Sequence, residues 1–299
     1  MAAHPFRFGV VAGFARSGDE WISKVRRIEE LGFSSVSMPD GVSFPLAPLP
    51  ALAMAAAATT TLHVGTYVLA NDLRHPVMLA KDIATLNLLS NGRFELGIGA
   101  GRPAGEDDNR MLGLEFESGG VRVARLAESI GLLKRLLSGE TVTENGKYYT
   151  VNGANIGVRP GQQPRPPLLM AGAGRHLLAL AGREADIVAL GLPPTANEEV
   201  VAERLAWLRE GAGSRFDQIE LNLNLMAVAD QVPQYVGRQL NLDAASLAAA
   251  GAVSAVVGST DEMCDKLQRS RERLGLSYIM VSDELMEPLA PVVERLAGR

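Results

Sequence analysis

The chain has 299 residues, of which 47% are hydrophobic and 21% are charged, a composition typical of a globular protein with a large core. It excludes a mostly disordered chain, and the single cysteine, Cys264, excludes a disulfide scaffold and any zinc or iron–sulfur site built from cysteines. The 29 basic and 34 acidic residues give a formal net charge of −5, which disfavours nucleic acid as a partner.

The sequence shows no membrane or export signal. The apolar stretch Leu49–Thr59 is about half of the roughly 20 residues that a membrane-spanning helix needs. Residues Met1–Arg7 are not followed by the long apolar run of a signal peptide. We therefore expect a cytoplasmic protein.

Eight predicted strands alternate with predicted helices along the chain. Most are near-continuous apolar runs, which is typical of strands that are covered on both faces in a parallel sheet. In chain order they are Phe6–Val11, Phe33–Met38, Leu62–Leu69, Arg93–Gly99, Pro167–Ala171, Ala185–Leu190, Ile219–Val228 and Leu276–Val281.

The helices between these strands carry start and stop signals. Ser17 with Glu20, and Ser259 with Glu262, have the spacing of a capping box. Gly32 stands where a left-handed residue would end the first helix. Further helices are predicted over Leu49–Thr59, Pro76–Ser90, Val123–Leu137, His176–Arg183 and Glu284–Leu296.

Eight such units are the number in a (β/α)8 TIM barrel, which needs about 250 residues. A doubly wound sheet is the alternative, and eight regular units favour the closed barrel. We expect one domain over residues 1–299. The residues beyond those that a barrel needs should form insertions near residues 101–120, 139–166 and 229–258. The second insertion contains a hairpin signal around Asn145–Gly146.

Barrel enzymes place their sites at the carboxyl ends of the strands, where two glycine-rich segments lie. Gly97, Gly99 and Gly101 either let a flat ligand approach the backbone or simply fit a crowded interior. Gly172–Arg175 runs into a predicted helix, whose free N–H groups and arginine favour an anion such as phosphate. The alternative there is a tight turn with a solvated arginine.

Asp40 follows the second strand and is either an acid–base or ligand-binding group or a turn residue. The acidic run Glu106–Asp108 is typical of a solvated loop, and the four histidines are scattered, so no metal site and no nucleophile is predicted. A pocket of this kind suits a cofactor that carries the difficult chemistry itself.

The segment Arg74–Gly99 resembles the helix-plus-strand signature of the bacterial luciferase-like family of flavin- and deazaflavin-dependent oxidoreductases. The helix start Ala173–Gly182, the Asn145–Gly146 hairpin and the segment from Val257 to Gly275 are similar as well. The resemblance extends over nearly the whole chain. It implies a (β/α)8 barrel with insertions that binds either FMN or coenzyme F420, a 5-deazaflavin.

Two features of the resemblance favour F420. Ala100 stands where alkanal-type FMN monooxygenases tend to carry an arginine. Gly65–Leu69 is similar to the strand in which F420-binding members have a non-proline cis peptide, which would be Tyr67–Val68 here. The cofactor contacts that the resemblance implies are Asp40, Tyr67, Val68, Ala70, Ala100, Gly101 and Arg102, with Gly172, Ala173, Gly174 and Arg175 at the phosphate of the tail.

Two positions depart from the pattern of the family's sugar-phosphate dehydrogenases. This chain has Gly41 where they have a histidine, and Arg102 where they have a glutamate. Their proton-transfer pair is therefore missing, and their substrate is not carried over. Asp40 and Arg102 are candidates for polar contacts with the ring and the substrate, without an assigned acid or base.

The expected activity is hydride transfer between F420 and an unidentified small organic substrate. An FMN-dependent luciferase-like monooxygenase and a non-catalytic flavin-binding barrel are the alternatives. Family members often dimerise, so the resemblance suggests a homodimer.

Overall fold

The computed structural model describes residues 4–299. The strands are β1 (Arg7–Val11), β2 (Ser35–Met38), β3 (His63–Thr66), β4 (Leu69–Ala70), β5 (Phe94–Gly99), β6 (Val142–Asn145), β7 (Thr150–Ala154), β8 (Leu168–Gly172), β9 (Ile187–Leu190), β10 (Glu220–Asn224), β11 (Ala227–Val228), β12 (Ala255–Val256) and β13 (Leu276–Ser282).

The helices include short 3₁₀ turns at Asn71–Leu73, Pro103–Gly105, Gly213–Gln218 and Asp283–Leu285. The α-helices are α1 (Gly18–Glu30), α2 (Pro48–Ala58), α3 (Pro76–Leu89), α4 (Glu106–Met111), α5 (Gly119–Leu137), α6 (Arg175–Glu184), α7 (Glu198–Ala212), α8 (Gln234–Leu240), α9 (Ala244–Ala249), α10 (Thr260–Leu274) and α11 (Met286–Leu296).

The main sheet closes on itself. Its strand order is β3-β2-β1-β13-β10-β9-β8-β5, with β4 beside β5 and a further pairing of β3 with β5 that completes the ring. Every residue of β2, β5 and β9 is buried, as expected for apolar strands covered on both faces. The predicted (β/α)8 barrel is confirmed, and all eight predicted strands are present.

Two predicted strands are divided. Leu62–Leu69 forms β3 and β4, which are separated by the cis peptide Tyr67–Val68, as the family resemblance implied. Val64 pairs with Phe94 and Leu69 pairs with Ile98, so the β3–β4 segment contains one residue more than β5 between these pairs. Ile219–Val228 divides into β10, which belongs to the barrel, and β11, which pairs with β12.

Two compact units can be distinguished within the chain. Unit 1 contains the described residues up to Ala12, together with Ser23–Ser37 and Gly172–Arg299. Unit 2 contains Gly13–Ile22 and Met38–Ala171. The expectation of a single domain stays a prediction.

The predicted caps form with one difference. Ser17 Oγ accepts a hydrogen bond from the Glu20 N–H. The Glu20 carboxylate accepts from the Arg16 N–H, whereas a capping box would have it accept from the Ser17 N–H. Ser259 and Glu262 form both bonds of a capping box. Gly32 has φ 82°, the left-handed conformation predicted for it.

The three predicted insertion segments have their own secondary structure. Residues 101–120 contain a 3₁₀ turn and α4, residues 139–166 contain the hairpin β6–β7, and residues 229–258 contain α8, α9 and β12. In the hairpin Asn145 pairs with Thr150, so the turn is four residues long. Among residues 4–299, no helix combines the length and the apolarity that crossing a membrane requires.

Candidate active site

Three hydrogen bonds hold the Asp40 carboxylate at the carboxyl end of β2. Arg74 donates from Nη1 to Oδ2 at 2.6 Å and from Nη2 to Oδ1 at 2.8 Å, and the Ala70 N–H donates to Oδ2 at 2.9 Å. The side chain of Asp40 is 2% exposed and that of Arg74 is 25% exposed. We call Asp40, Ala70 and Arg74 the Asp40 network. Because charge-assisted bonds occupy both oxygens, the geometry favours a positioning role for Asp40.

The glycines of β5 accommodate the neighbouring strand. Thr66 Oγ1 donates to the Gly97 carbonyl at 2.7 Å and accepts from the Gly97 N–H at 2.9 Å. A Cβ on Gly97 would overlap the Thr66 carbonyl oxygen, and one on Gly99 would lie 3.1 Å from Val68 Cγ2. For Gly97 and Gly99 the structure favours the second alternative, a fit to a crowded interior, because the chain itself fills the space beside them.

Part of the segment that lies beside these glycines is exposed. Tyr67, Val68 and Ala70 are partly exposed, whereas Ala100 is buried. The Ala100 carbonyl accepts a 3.0 Å hydrogen bond from Nε of Arg122, a buried arginine of α5 that the sequence analysis missed. We call the partly exposed segment Tyr67–Ala70 the ring-side segment.

Gly101 and Arg102 follow β5 in unit 2. Gly101 has φ 77°, a left-handed conformation that favours glycine. Arg102 is exposed, and its guanidinium lies 6.0 Å from the centre of the Phe44 ring. Within residues 4–299 it has no carboxylate partner, so its charge is available to a ligand.

The Asp108 side chain fills the space beside Gly41, the position at which the resemblance implies a histidine in the sugar-phosphate dehydrogenases. Gly41 has φ 149°, and a Cβ there would overlap Oδ2 of Asp108. Asp108 is 7% exposed, and its Oδ1 accepts from the Ser43 N–H at 2.9 Å. The expected solvated run is thus correct for Glu106 and Asp107 but wrong for Asp108, because Asp108 binds the backbone of the 41–44 loop.

A polar cluster follows β4 in unit 2. Asn71 Nδ2 donates to the Tyr149 hydroxyl at 3.0 Å, and Arg125 forms an ion pair with Asp72 at 3.1 Å. Burial raises the pKa of the Tyr149 phenol, and the hydrogen bond from Asn71 acts in the opposite direction. In the part of the chain that the structure describes, no three His, Cys, Asp or Glu side chains could hold a metal ion together.

The Gly172–Arg175 loop of unit 1 leads into α6. In the described range 4–299, no side chain caps this helix, and a Cβ on Gly174 would have no neighbour within 4 Å. Gly191 donates its N–H to the Gly172 carbonyl at 2.8 Å, which fixes one side of the loop. The loop therefore combines uncapped N–H groups with open space, as an anion site requires.

Two arginines accompany this loop. Arg175 Nη2 lies 2.8 Å from a carboxylate oxygen of Glu210, with both side chains largely exposed. Arg204, which the sequence analysis missed, donates from Nη1 to the Ala173 carbonyl at 2.5 Å. Its Nε is buried without a hydrogen-bond partner among residues 4–299. Arg204 follows the loop by 31 residues, so sequence spacing gave no signal for it.

Known proteins resemble this chain over most of its length. The model of the luciferase-like monooxygenase family matches residues 6–262. The chain belongs to this family. An F420-dependent glucose-6-phosphate dehydrogenase of Nakamurella multipartita is 33% identical over 77% of this chain and 70% of its own length. Another, from Beutenbergia cavernae, is 38% identical over 66% of this chain and 59% of its own length.

Solved structures show the same fold as this luciferase-like protein. The F420-dependent tetrahydromethanopterin reductase of Methanopyrus kandleri superposes with a TM-score of 0.79 at 20% identity, over 98% of this chain and all of that one. An F420-dependent secondary alcohol dehydrogenase gives 0.77 at 19% identity, over 97% of this chain and 99% of that one. The predicted family and fold are therefore confirmed.

Proposed function

We propose that this protein is a coenzyme F420-dependent oxidoreductase that transfers a hydride between the deazaflavin and a small organic substrate. The observation that carries the proposal is the 33% identity to an F420-dependent glucose-6-phosphate dehydrogenase over 77% of this chain. A second relative with the same printed name, at 38% identity, supports the same cofactor.

The residues of unit 2 fit a planar ring. We assign its contacts to Tyr67 and Val68 of the ring-side segment, with Ala100, Gly101 and Arg102 beside the ring. The Asp40 network holds Ala70 through a 2.9 Å hydrogen bond and thereby fixes the end of the ring-side segment. When bound, the cofactor supplies the hydride-transfer chemistry, and these residues bind and orient it.

The residues of unit 1 fit a phosphate. We assign the tail phosphate of the cofactor to Gly172, Ala173, Gly174 and Arg175. Uncapped N–H groups at the start of α6 and the open space at Gly174 support this assignment. Arg204, with a spare buried N–H and its bond to Ala173, adds a positive charge to the same loop.

The substrate of the dehydrogenase relatives is not part of this proposal. Gly41 and Arg102 replace the histidine and the glutamate expected of the sugar-phosphate enzymes, so their proton-transfer pair is missing. We propose an organic small molecule, without a named identity, bound near Arg102. A cytoplasmic location, a homodimer and the lack of a nucleic-acid partner stay predictions.

A side-by-side titration with F420 and FMN tests the proposal. We expect F420 to bind at least about tenfold more tightly, measured by the change in cofactor fluorescence. Tighter binding of FMN together with oxygen-dependent turnover would support the monooxygenase alternative. Tight F420 binding, with no oxidation of reduced F420 by any carbonyl or alkene in a broad panel, would support a non-catalytic barrel.

A further inference from the structure

Asp108 has an acceptor oxygen that its own loop leaves underused. Its Oδ1 accepts from the Ser43 N–H at 2.9 Å, whereas among residues 4–299 Oδ2 has only the Ser43 hydroxyl, at the limiting distance of 3.5 Å. A carboxylate oxygen can accept more than one hydrogen bond, and a buried charge is stabilised by each. Oδ2 is thus ready to accept from a further donor.

Gly41 and the Phe44 ring lie beside this oxygen. A Cβ on Gly41 would overlap Oδ2 and lie 3.3 Å from Cδ2 of the Phe44 ring, so the carboxylate and the ring adjoin the same point. Asp108 retains 7% exposure, and Gly41 is partly exposed. The Arg102 guanidinium lies 6.0 Å from the centre of the same ring.

The loops that carry these groups also expose large apolar side chains. Such side chains are common at sites that bind apolar molecules. On or next to these segments they are Val42 (49% exposed), Met111 (56%), Leu112 (48%) and Leu114 (42%). A ligand for this neighbourhood therefore combines an apolar body with one hydrogen-bond donor.

We propose that Asp108 and Phe44 form a substrate subsite in which Asp108 Oδ2 accepts a hydrogen bond from a hydroxyl group. The apolar body of the same molecule lies against the Phe44 ring. That the bound molecule is a substrate rests on the proposed function, whereas its binding at Asp108 and Phe44 does not. The absence of a side chain at Gly41 is what allows this carboxylate to stand at the end of β2.

The test compares two probes that differ in one donor. Cyclohexanol carries a hydroxyl on an apolar ring, and cyclohexyl methyl ether carries the same ring without the O–H. We expect the protein to bind cyclohexanol at least about tenfold more tightly, because a hydrogen bond to a charged group contributes that much. In protein with ¹³C-labelled aspartate, the carboxyl resonance of Asp108 should move with the alcohol and not with the ether.

Two variants test whether the preference for cyclohexanol depends on Asp108. Asp108→Asn keeps an oxygen for the Ser43 N–H and should reduce the preference for cyclohexanol to about twofold or less. Asp107→Asn, at an exposed neighbouring position, should keep it. If Asp108→Asn fails to fold, the ¹³C measurement on the unsubstituted protein decides, since the Asp108 carboxyl resonance should move with the alcohol and not with the ether.

The outcomes separate this inference from the proposed function. Equal binding of both probes, no binding of either, or a preference that survives in Asp108→Asn would overturn the subsite. The same samples are titrated with F420 by fluorescence. Loss of F420 binding alongside an intact alcohol preference would reject the cofactor and leave the subsite standing, and the reverse result would reject only the subsite.

Discussion

The proposed cofactor-binding residues of the two units differ in how firmly the chain holds them. In unit 2, Asp40 accepts three hydrogen bonds, and Thr66 both donates to and accepts from Gly97. In unit 1, a Cβ on Gly174 would meet only open space, and Arg175 is in an exposed ion pair with Glu210. A rigid surface can meet the face of a planar ring without reorganising, whereas a loop with spare donors can close on a charged group.

This difference predicts that substitutions in the two regions affect folding and binding differently. Substitutions in the Asp40 network or in β5 should damage folding together with binding, because the same contacts serve both. Substitutions in the Gly172–Arg175 loop should damage binding alone, since exposed ion pairs add little to stability.

Gly97→Ala should be the most damaging substitution. Its Cβ would overlap the Thr66 carbonyl, a main-chain atom that cannot move aside cheaply. We expect a loss of at least about 3 kcal/mol in the free energy of unfolding by urea, the upper end for overpacking. Gly105→Ala is the control, since its Cβ would have no neighbour within 4 Å in the part of the chain that the structure describes, and it should change stability by less than about 0.5 kcal/mol. Equal effects would reject the packing argument.

Asp40→Ala should come next. It removes the carboxylate that pairs with Arg74, and we expect a loss of about 2 to 3 kcal/mol, below the cost for a fully buried pair because Arg74 is 25% exposed. A double-mutant cycle with Arg74→Ala measures the coupling, and the double variant should lose less than the two single losses added together. The exposed pair Asp107 and Arg110 serves as the control, with a coupling below about 0.5 kcal/mol.

Arg175→Ala should weaken F420 binding about tenfold while the free energy of unfolding changes by less than about 0.5 kcal/mol. Glu210→Ala should act in the opposite sense on binding, because it frees the Arg175 guanidinium from its 2.8 Å ion pair. Fluorescence titration gives the affinity, and urea unfolding gives the stability. An unchanged affinity in Arg175→Ala would remove the arginine from the anion site.

The pH dependence that Tyr149→Phe removes should be the smallest effect. Loss of the phenol oxygen that accepts from Asn71 Nδ2 lowers stability at every pH, so the informative quantity is the difference in stability between pH values. Burial raises the pKa of Tyr149 in the folded state, so the unfolded chain loses this proton first, beginning near pH 10. Stability should therefore fall as pH rises from about 10 towards the folded-state pKa, and this component should be absent in the variant. Parallel urea titrations at pH 9 and pH 10.5 compare the two proteins, and identical slopes would contradict the shift.

The sequence predicted the fold well because its signals are local. Apolar runs identified all eight barrel strands, and Gly32 was recognised as a left-handed helix end from its position alone. The site was predicted less completely. The sequence analysis singled out the glycines of β5 but not the segment that packs against them. That segment, Thr66–Val68, is brought next to them by the pairing of β3 and β4 with β5.

The amino-acid sequence by itself determined the alternation of strands and helices, the caps and the family signature, because periodicity and φ preferences act over a few residues. Only the tertiary structure decided that Asp40 pairs with Arg74, that Asp108 binds Ser43 beside Gly41, and that Arg204 reaches Ala173. These partners are 34, 65 and 31 residues apart. Contacts over such distances follow from strand order and barrel closure, which no local pattern contains.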